Sequence, residues 1–248
     1  MRAMILAAGR GERMRPLTDH TPKPLLTAGG RPLIEWQITR LAQAGIRDIV
    51  INLSWLGERI EATLGDGQRL GVHLHYSYET EALETAGGIR QALPLLGADP
   101  FLVVNGDVWC DWDYAQASPL AAGLTHDPQS AANTPDAWLL LTTNPEHHRQ
   151  GDFSLTHAGK VTDINATRPD QSLTFTGIGI YHPRFFDSVP SGQRQALGPL
   201  LRAALAQGKV IGQRHEGQWL DIGTPARLAA LDRQLTLPQQ QSPDASML

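Results

Sequence analysis

Along the first half of the chain, short unbroken apolar runs alternate with stretches in which apolar residues return every three or four positions. Residues 4–8 (MILAA), 48–53 (DIVINL), 72–76 (VHLHY) and 101–105 (FLVVN) are runs of strand length. Between them, residues 33–44 place Ile34, Ile38 and Leu41 on one helical face, with Gly45 where a C-terminal cap falls. Residues 58–64 and 89–96 predict two more helices. Strands that are apolar throughout are buried on both faces, so this order predicts a parallel sheet between helical layers. Ligands of such sheets gather at the carboxyl ends of the strands.

The second half has a different texture. Residues 119–136 (PLAAGLTHDPQSAANTPD) are rich in Ala, Pro, Asn and Asp and predict a surface loop or insertion. A strand follows at 138–142 (WLLLT), and the alternating stretch 173–181 (LTFTGIGIY) predicts an antiparallel or edge element. Residues 199–207 predict a helix and 209–214 a strand. Thr224 and Pro225 then open a last helix as N-cap and first helical residue. The tail, 238–248 (PQQQSPDASML), has almost nothing to bury and is expected to be disordered. No internal repeat is visible.

Composition narrows the function classes. Of 248 residues, 41% are hydrophobic and 19% charged, an ordinary globular balance, and the formal net charge of -4 argues against a nucleic-acid partner. One cysteine, Cys110, excludes an internal disulfide and any multi-cysteine metal site. Met1 leads directly into the first strand without a leader-like apolar run, and nothing reads as a membrane span, so a soluble cytoplasmic protein is expected.

Three segments carry candidate chemistry. Residues 6–26 (LAAGRGERMRPLTDHTPKPLL) join a strand end to small residues, Gly9 and Gly11, then to Arg10, Arg13, Arg15 and Lys23. Small residues let backbone N–H groups approach phosphate oxygens, and the cations offset phosphate charge. The segment lacks the GK[ST] of a P-loop, and Met14 stands where a dinucleotide motif needs its third glycine. Pro22 and Pro24 restrain the lysine between them. In VVNGDVWCDWD, Asp107 follows a buried strand by two residues, at the sheet edge where a hard carboxylate suits Mg2+. In WLDIGTPARL, Asp221 precedes a glycine turn into a capped helix and could share one ion with Asp107 if the fold unites them. Alone, either aspartate reads as a turn residue. The pairs His73/His75 and His147/His148 lack the spacing of a known zinc motif and read as exposed or hydrogen-bonded. Trp109 and Trp112, beside Asp107, could frame a pocket.

Taken together, LAAGRGERMRPLT…PKPLL, LETAGGI, VVNGDV and WLDIGTP resemble, in order and across nearly the whole chain, the signature segments of the sugar-1-phosphate nucleotidyltransferase family. The resemblance implies an α/β fold: a Rossmann-like mixed, mainly parallel sheet, as one domain over 1–237, with a nucleotide-binding part about 1–112 and a smaller sugar-binding part about 138–223. It implies an enzyme that joins a nucleoside triphosphate, UTP by its nearest likeness, to a sugar 1-phosphate with Mg2+ as cofactor. By the same resemblance, Arg15, Lys23 and Asp107 would be catalytic. Ala8, Gly9, Gly11, Glu12, Arg13, Lys23, Thr85, Gly87 and Gly88 would line the nucleotide, Asn105, Asp152, Thr176 and Gly177 the sugar phosphate, and Asp107 and Asp221 would hold the metal. The partners implied are these small molecules, with no nucleic acid and no membrane; a monomer is preferred because the long C-terminal extension of some relatives is missing. Ala86, in place of a frequent glycine, and the long 119–136 stretch depart from the family pattern. Glucose or mannose 1-phosphate as substrate, and a non-catalytic nucleotide-sugar-binding regulator, stay open as alternatives.

Overall fold

The computed structural model describes residues 1–125, 134–164 and 171–236. In chain order the elements are β1 (Ala3–Leu6), a small hairpin of β2 (Thr27–Ala28) and β3 (Arg31–Pro32), α1 (Leu33–Gln43), β4 (Asp48–Leu53), α2 (Gly57–Leu64), β5 (His73–Tyr78), α3 (Glu84–Leu96), β6 (Phe101–Asn105) and β7 (Val108–Cys110). There follow α4 (Ala117–Ala122), β8 (Ala137–Thr142), β9 (Phe153–Leu155), β10 (Val161–Thr162), β11 (Ser172–Tyr181), α5 (Leu197–Ala206), β12 (Val210–His215), β13 (Trp219–Asp221) and α6 (Pro225–Thr236).

Nine strands make one sheet, ordered β10-β9-β11-β6-β1-β4-β5, with β8 also on β11 and β12 on β8. Strands β6, β1, β4 and β5 run parallel; the apolar character of β6, β1 and β4 predicts this, while β5, at the sheet's edge, alternates exposed His73 and His75 with buried Leu74 and Ser77. Their residues divide by parity. Ala3, Ile5, Ile49, Ile51, Leu102 and Val104 pack on one face with Ile34, Ile38 and Leu41 of α1 and Ile60 and Leu64 of α2. Met4, Val50, Phe101 and Val103 pack on the other with Ile89 and Leu96 of α3 and Leu201 and Leu205 of α5. The mixed, mainly parallel α/β fold is therefore the one expected, and β11 marks its change of direction, running antiparallel to β6, β8 and β9.

The stretch 173–181 is antiparallel, the first of the two expected alternatives: β11 has β6 and β8 on its two sides, and Ile178 and Ile180 are fully buried. Two expectations change. Helix α3 starts at Glu84, well before residue 89, and carries Pro94 inside it. Its first turn is held from outside, because the Ala86 and Gly87 N–H groups both donate to the Gln195 carbonyl, at 2.9 and 3.1 Å; no local pattern announces such a cap. The 119–136 stretch begins as helix α4, with Ala117 and Ala121 buried, while 126–133 lie outside the described residues. The tail 238–248 also lies outside them. Thr224 does cap α6, its hydroxyl accepting from Arg227 N–H at 3.4 Å. No helix among the described residues is long and apolar enough to cross a membrane.

A third, smaller core lies beside the sheet's carboxyl edge. Met14, Leu26, Ala28, Leu33, Ile222 and Leu231 form it, joined by Trp109, Leu220, Leu228 and Leu235. It welds the loop after β1 to β13 and α6. Strand β13 pairs antiparallel with β7, and Ile222 N–H donates to the Asp107 carbonyl at 2.8 Å. The turn into β7 depends on Gly106, whose N–H donates to the Leu6 carbonyl at 2.9 Å. A Cβ there would stand 2.6 Å from that same oxygen. Gly106→Ala is expected to destabilise the chain by about 2 kcal/mol, the range of an overpacking strain, and to lower Tm by about 5 °C. A thermal melt checks this; an unchanged Tm would mean the turn relaxes freely.

Candidate active site

The loop after β1 is built around a left-handed glycine and a restrained lysine. Gly11 has φ +67°, and a Cβ on it would meet Thr18 at 3.1 Å and the Lys23 Cβ at 3.2 Å. The loop thus lies on the stem of Lys23, whose side chain is only 9% exposed. Its ammonium reaches Asp107 Oδ2 at 2.5 Å. Asp107 itself stays 37% open to solvent, so the pair is buried from the lysine side and reachable from the carboxylate side.

Asp221 comes to the same place. It is the register partner of Val108, the residue after Asp107. Both carboxylates line one cavity of about 370 Å³ with Arg13, Asn105, His147, His148, Thr176 and Trp219. Asp221 is held by Arg227 Nη1 at 2.6 Å, with His147 Nε2 3.5 Å away. Gly223 faces this cluster, and a Cβ there would stand 3.0 Å from each of Arg13 Nη2, Arg227 Nη2 and Asp221 Oδ1. A larger residue there would have to push these three charged ends apart.

Three further cavities adjoin. One of about 390 Å³ is lined by Gly9, Arg10, Gly11, Glu12, Arg13, Lys23 and Asp107. A second, about 330 Å³, lies over the sheet edge between Leu6, Ala8, Gly9, Lys23, Asn52, Glu79, Thr85 and Asn105. A third, about 280 Å³, is walled by Asn105, Asp152, Phe153, Phe175, Gly177 and Arg202. Asp107 borders the first two of these and the two-carboxylate cavity, and Asn105 joins the third to them, so the four form one branched cleft.

Most of the residues singled out in the sequence meet in this cleft; some do not. Arg15 turns away, its Nε 2.7 Å from Asp19 and its side chain 55% exposed. Gly87 and Gly88 support the cleft from behind: a Cβ would stand 2.4 Å from the Gln193 carbonyl at one and 2.4 Å from Glu79 Oε1 at the other. Thr176 is wholly buried and its hydroxyl donates to the Leu140 carbonyl. Asp152 accepts from Phe175 N–H at 2.8 Å and lies 3.1 Å from His148 Nε2, so it is already oriented. Trp112 does not line the cleft; it borders a separate cavity with Arg40, Asp111 and Tyr114. It is 3% exposed, with its ring against Trp138 and Tyr114 in the core, and Trp109 packs into the third core cluster. His73 and His75 are exposed beside Asp48, as expected.

Several cleft residues escaped the sequence reading. Asn52 accepts from Ala7 N–H at 2.8 Å and donates to Glu79 Oε1 at 2.7 Å; the other Glu79 oxygen accepts from Leu83 N–H. The available signal was Asn52 itself, a polar residue at the carboxyl end of an apolar strand. His147 and His148, expected only to be exposed or hydrogen-bonded, line the cleft with Trp219; Arg202 and Arg227 gave no sign, because chain distance hides their convergence.

Known proteins resemble the chain in sequence and in fold. The family model described as nucleotidyl transferase matches residues 2–236. The chain belongs to the nucleotidyl transferase family. It is 53% identical, over 92% of its length and 95% of theirs, to an N-acetylmuramate alpha-1-phosphate uridylyltransferase of Neisseria meningitidis. Identity is 36%, over 92% and 94%, with the protein of the same name from Caulobacter vibrioides. Among solved structures, HddC from Yersinia pseudotuberculosis superposes with a TM-score of 0.74 at 21% identity, over 94% of this chain and 98% of that one, a likeness in fold alone.

Burial pushes the Glu79 carboxyl above its ordinary value of 4.5, against the opposing pull of its hydrogen bonds from Leu83 and Asn52. A raised folded-state pKa means the folded chain holds the proton more tightly. The stability Glu79 contributes is therefore complete below 4.5 and lost as pH rises through the folded value. The unfolding free energy of the wild type minus that of Glu79→Gln should fall as pH rises from 4.5 and then level. Urea titrations across that range measure it; a rising difference would reverse the assignment.

Proposed function

We propose that this chain transfers a uridylyl group from UTP to a sugar 1-phosphate, N-acetylmuramate α-1-phosphate, and releases pyrophosphate. The observation that carries the reading is the Lys23 ammonium held 2.5 Å from Asp107 where the glycine loop meets the sheet edge. A nucleotide in the cavity beside Thr85 and Asn52 would direct its phosphates toward Gly9, Gly11 and Arg13, and a sugar in the cavity beside Asp152 would meet them at Asn105 and Asp107. The nucleotide part is then built on β1, β4 and α3, the sugar part on β9, β11 and α5.

A phosphate monoester oxygen is already anionic near neutral pH, so its attack on the α-phosphorus, in line with departing pyrophosphate, needs no general base. Positioning and charge stabilisation supply most of the acceleration in such transfers. Lys23 has little freedom between its prolines and would neutralise phosphate charge without reorganising. Arg13 adds a second cation. Arg15 would act on the reaction only from outside the cleft.

Asp107 and Asp221 fit a divalent ion, Mg2+, as two hard oxygen donors facing one cavity, one in the turn that leads into β7 and one on its partner strand β13. Each is neutralised by a cation of the chain, Lys23 and Arg227, so the acids stand close without bare like-charge repulsion. When bound, the ion supplies Lewis-acid stabilisation of the phosphate charge.

For the sugar, Arg202 is the one cation among the described residues lining the cavity that holds Asp152 and Phe175, its Nε 3.7 Å from Asp163. N-acetylmuramate carries a lactyl carboxylate that glucose and mannose lack, so a cation at this wall favours the acidic sugar. The names of the Neisseria and Caulobacter relatives point the same way.

Pyrophosphate release from a panel of triphosphates and sugar 1-phosphates tests the reading. UTP with N-acetylmuramate α-1-phosphate should be fastest, and silence from every pair would remove the enzymatic function. Lys23→Ala should lower kcat by at least about a hundredfold, the scale for one preorganised charge-stabilising group. Asp107→Asn and Asp221→Asn should each shift the Mg2+ titration of activity to higher concentration; if neither shifts, the shared-ion assignment is lost.

A further inference from the structure

Beyond the cleft, the far end of β7 meets the end of β12. Cys110 closes β7 opposite Trp219, and His215 closes β12 opposite Thr142, whose hydroxyl donates to the His215 carbonyl at 3.2 Å. Asp111 follows Cys110 and is fixed by its N–H, which donates to the Gln218 carbonyl at 3.1 Å. One sulfur, one carboxylate oxygen and one imidazole nitrogen of Cys110, Asp111 and His215 lie within 4.8 Å of one another. His215 Nε2 stands 2.7 Å from Asp111 Oδ1. The backbone at Gly217 closes over them; a Cβ there would be 2.3 Å from Asp111 Oδ1 and 2.7 Å from His215 Cε1. The group has a bottom and a mouth, with Cys110 1% exposed, the His215 side chain 11% and the Asp111 side chain 42%.

We propose that Cys110, Asp111 and His215 form a second metal site, separate from the two-carboxylate cavity, whose ion is zinc. Thiolate and imidazole are donors that Zn2+ accepts and Mg2+ does not favour. With Zn–S about 2.3 Å and Zn–N about 2.0 Å, tetrahedral ligand atoms sit roughly 3.5 Å apart, a contraction that side-chain rotation can reach from the present spacing. Thiolate and carboxylate together balance the charge of the ion, and water completes the coordination at the open mouth. Arg40 is the opposing feature: its guanidinium donates to the Cys110 carbonyl and adds a nearby positive charge. The site braces β7 against β12, and β7 starts one residue after Asp107 and pairs with the strand carrying Asp221. An ion here would stiffen the strand pair that holds both acids of the cleft without touching substrate.

Cobalt titration of the reduced, chelator-treated full chain, with no nucleotide or sugar present, tests the proposal. One equivalent should give a thiolate-to-cobalt charge-transfer band and the visible bands of a four-coordinate site, both removed by one equivalent of Zn2+. Cys110→Ser and His215→Ala should abolish the band and weaken binding by at least about a hundredfold, more than loss of an outer-shell partner gives. Asp111→Asn, at the exposed mouth and least disruptive to folding, should weaken it while leaving the metal-free melting temperature unchanged. Zn2+ should raise Tm in the wild type and not in Cys110→Ser. A featureless titration, or a band that survives His215→Ala, overturns the site. The outcome is independent of turnover, so it stands or falls apart from the nucleotidyl-transfer reading.

Discussion

A lysine that is 7% exposed must have its charge answered, and in this chain the answer comes from an aspartate 84 positions away. Holding Lys23 and Asp107 together requires the loop after β1 to fold back over the lysine stem, the prolines on either side to restrain it, and Gly106 to admit a turn tight against Leu6. Each of those local features is odd alone. Together they keep a positive charge at the carboxyl edge of a parallel sheet, where helix and strand ends already favour anions.

The third core cluster extends the same logic to Asp221. Met14 and Leu26 belong to the cation loop, Ile222 and Leu231 to the segment carrying the second acid, and their common burial fixes the distance between two parts of the chain with no sheet pairing between them. Hydrophobic burial is non-directional, so the directional part is left to hydrogen bonds. Ile222 to the Asp107 carbonyl, Arg227 to Asp221 and Asn52 to Ala7 and Glu79 set the orientation that burial alone would leave loose.

The parallel half of the fold was legible because strands buried on both faces leave a continuous apolar trace, and the helix of Ile34, Ile38 and Leu41 because its burial is one-sided. Lys23, Asp107 and Asp221 were legible because unusual neighbours surround them: two prolines, a buried strand, a capped helix. What stayed hidden depends on partners remote in sequence. Helix α3 carries two glycines, Gly87 and Gly88, at the end of its first turn, which local propensity disfavours, yet the Gln195 carbonyl accepts from the Ala86 and Gly87 N–H groups and holds that turn. Arg15 carries the same charge as Arg13 two positions away, but the turn sends it to Asp19. Trp112 lies five residues past Asp107, yet its ring packs in the core against Trp138 and Tyr114.

Asn105, at the end of β6, borders three branches of the cleft, and Gly177 presses so close that a Cβ would come within 2.4 Å of the Asn105 amide nitrogen. The compartments therefore share a party wall one residue thick. Remodelling that residue to admit a different molecule on one side would disturb recognition on the other. Any drift in preference between related chains is then easiest at the outer walls, around Arg202 on one flank and Thr85 on the other, while the shared wall is held in common.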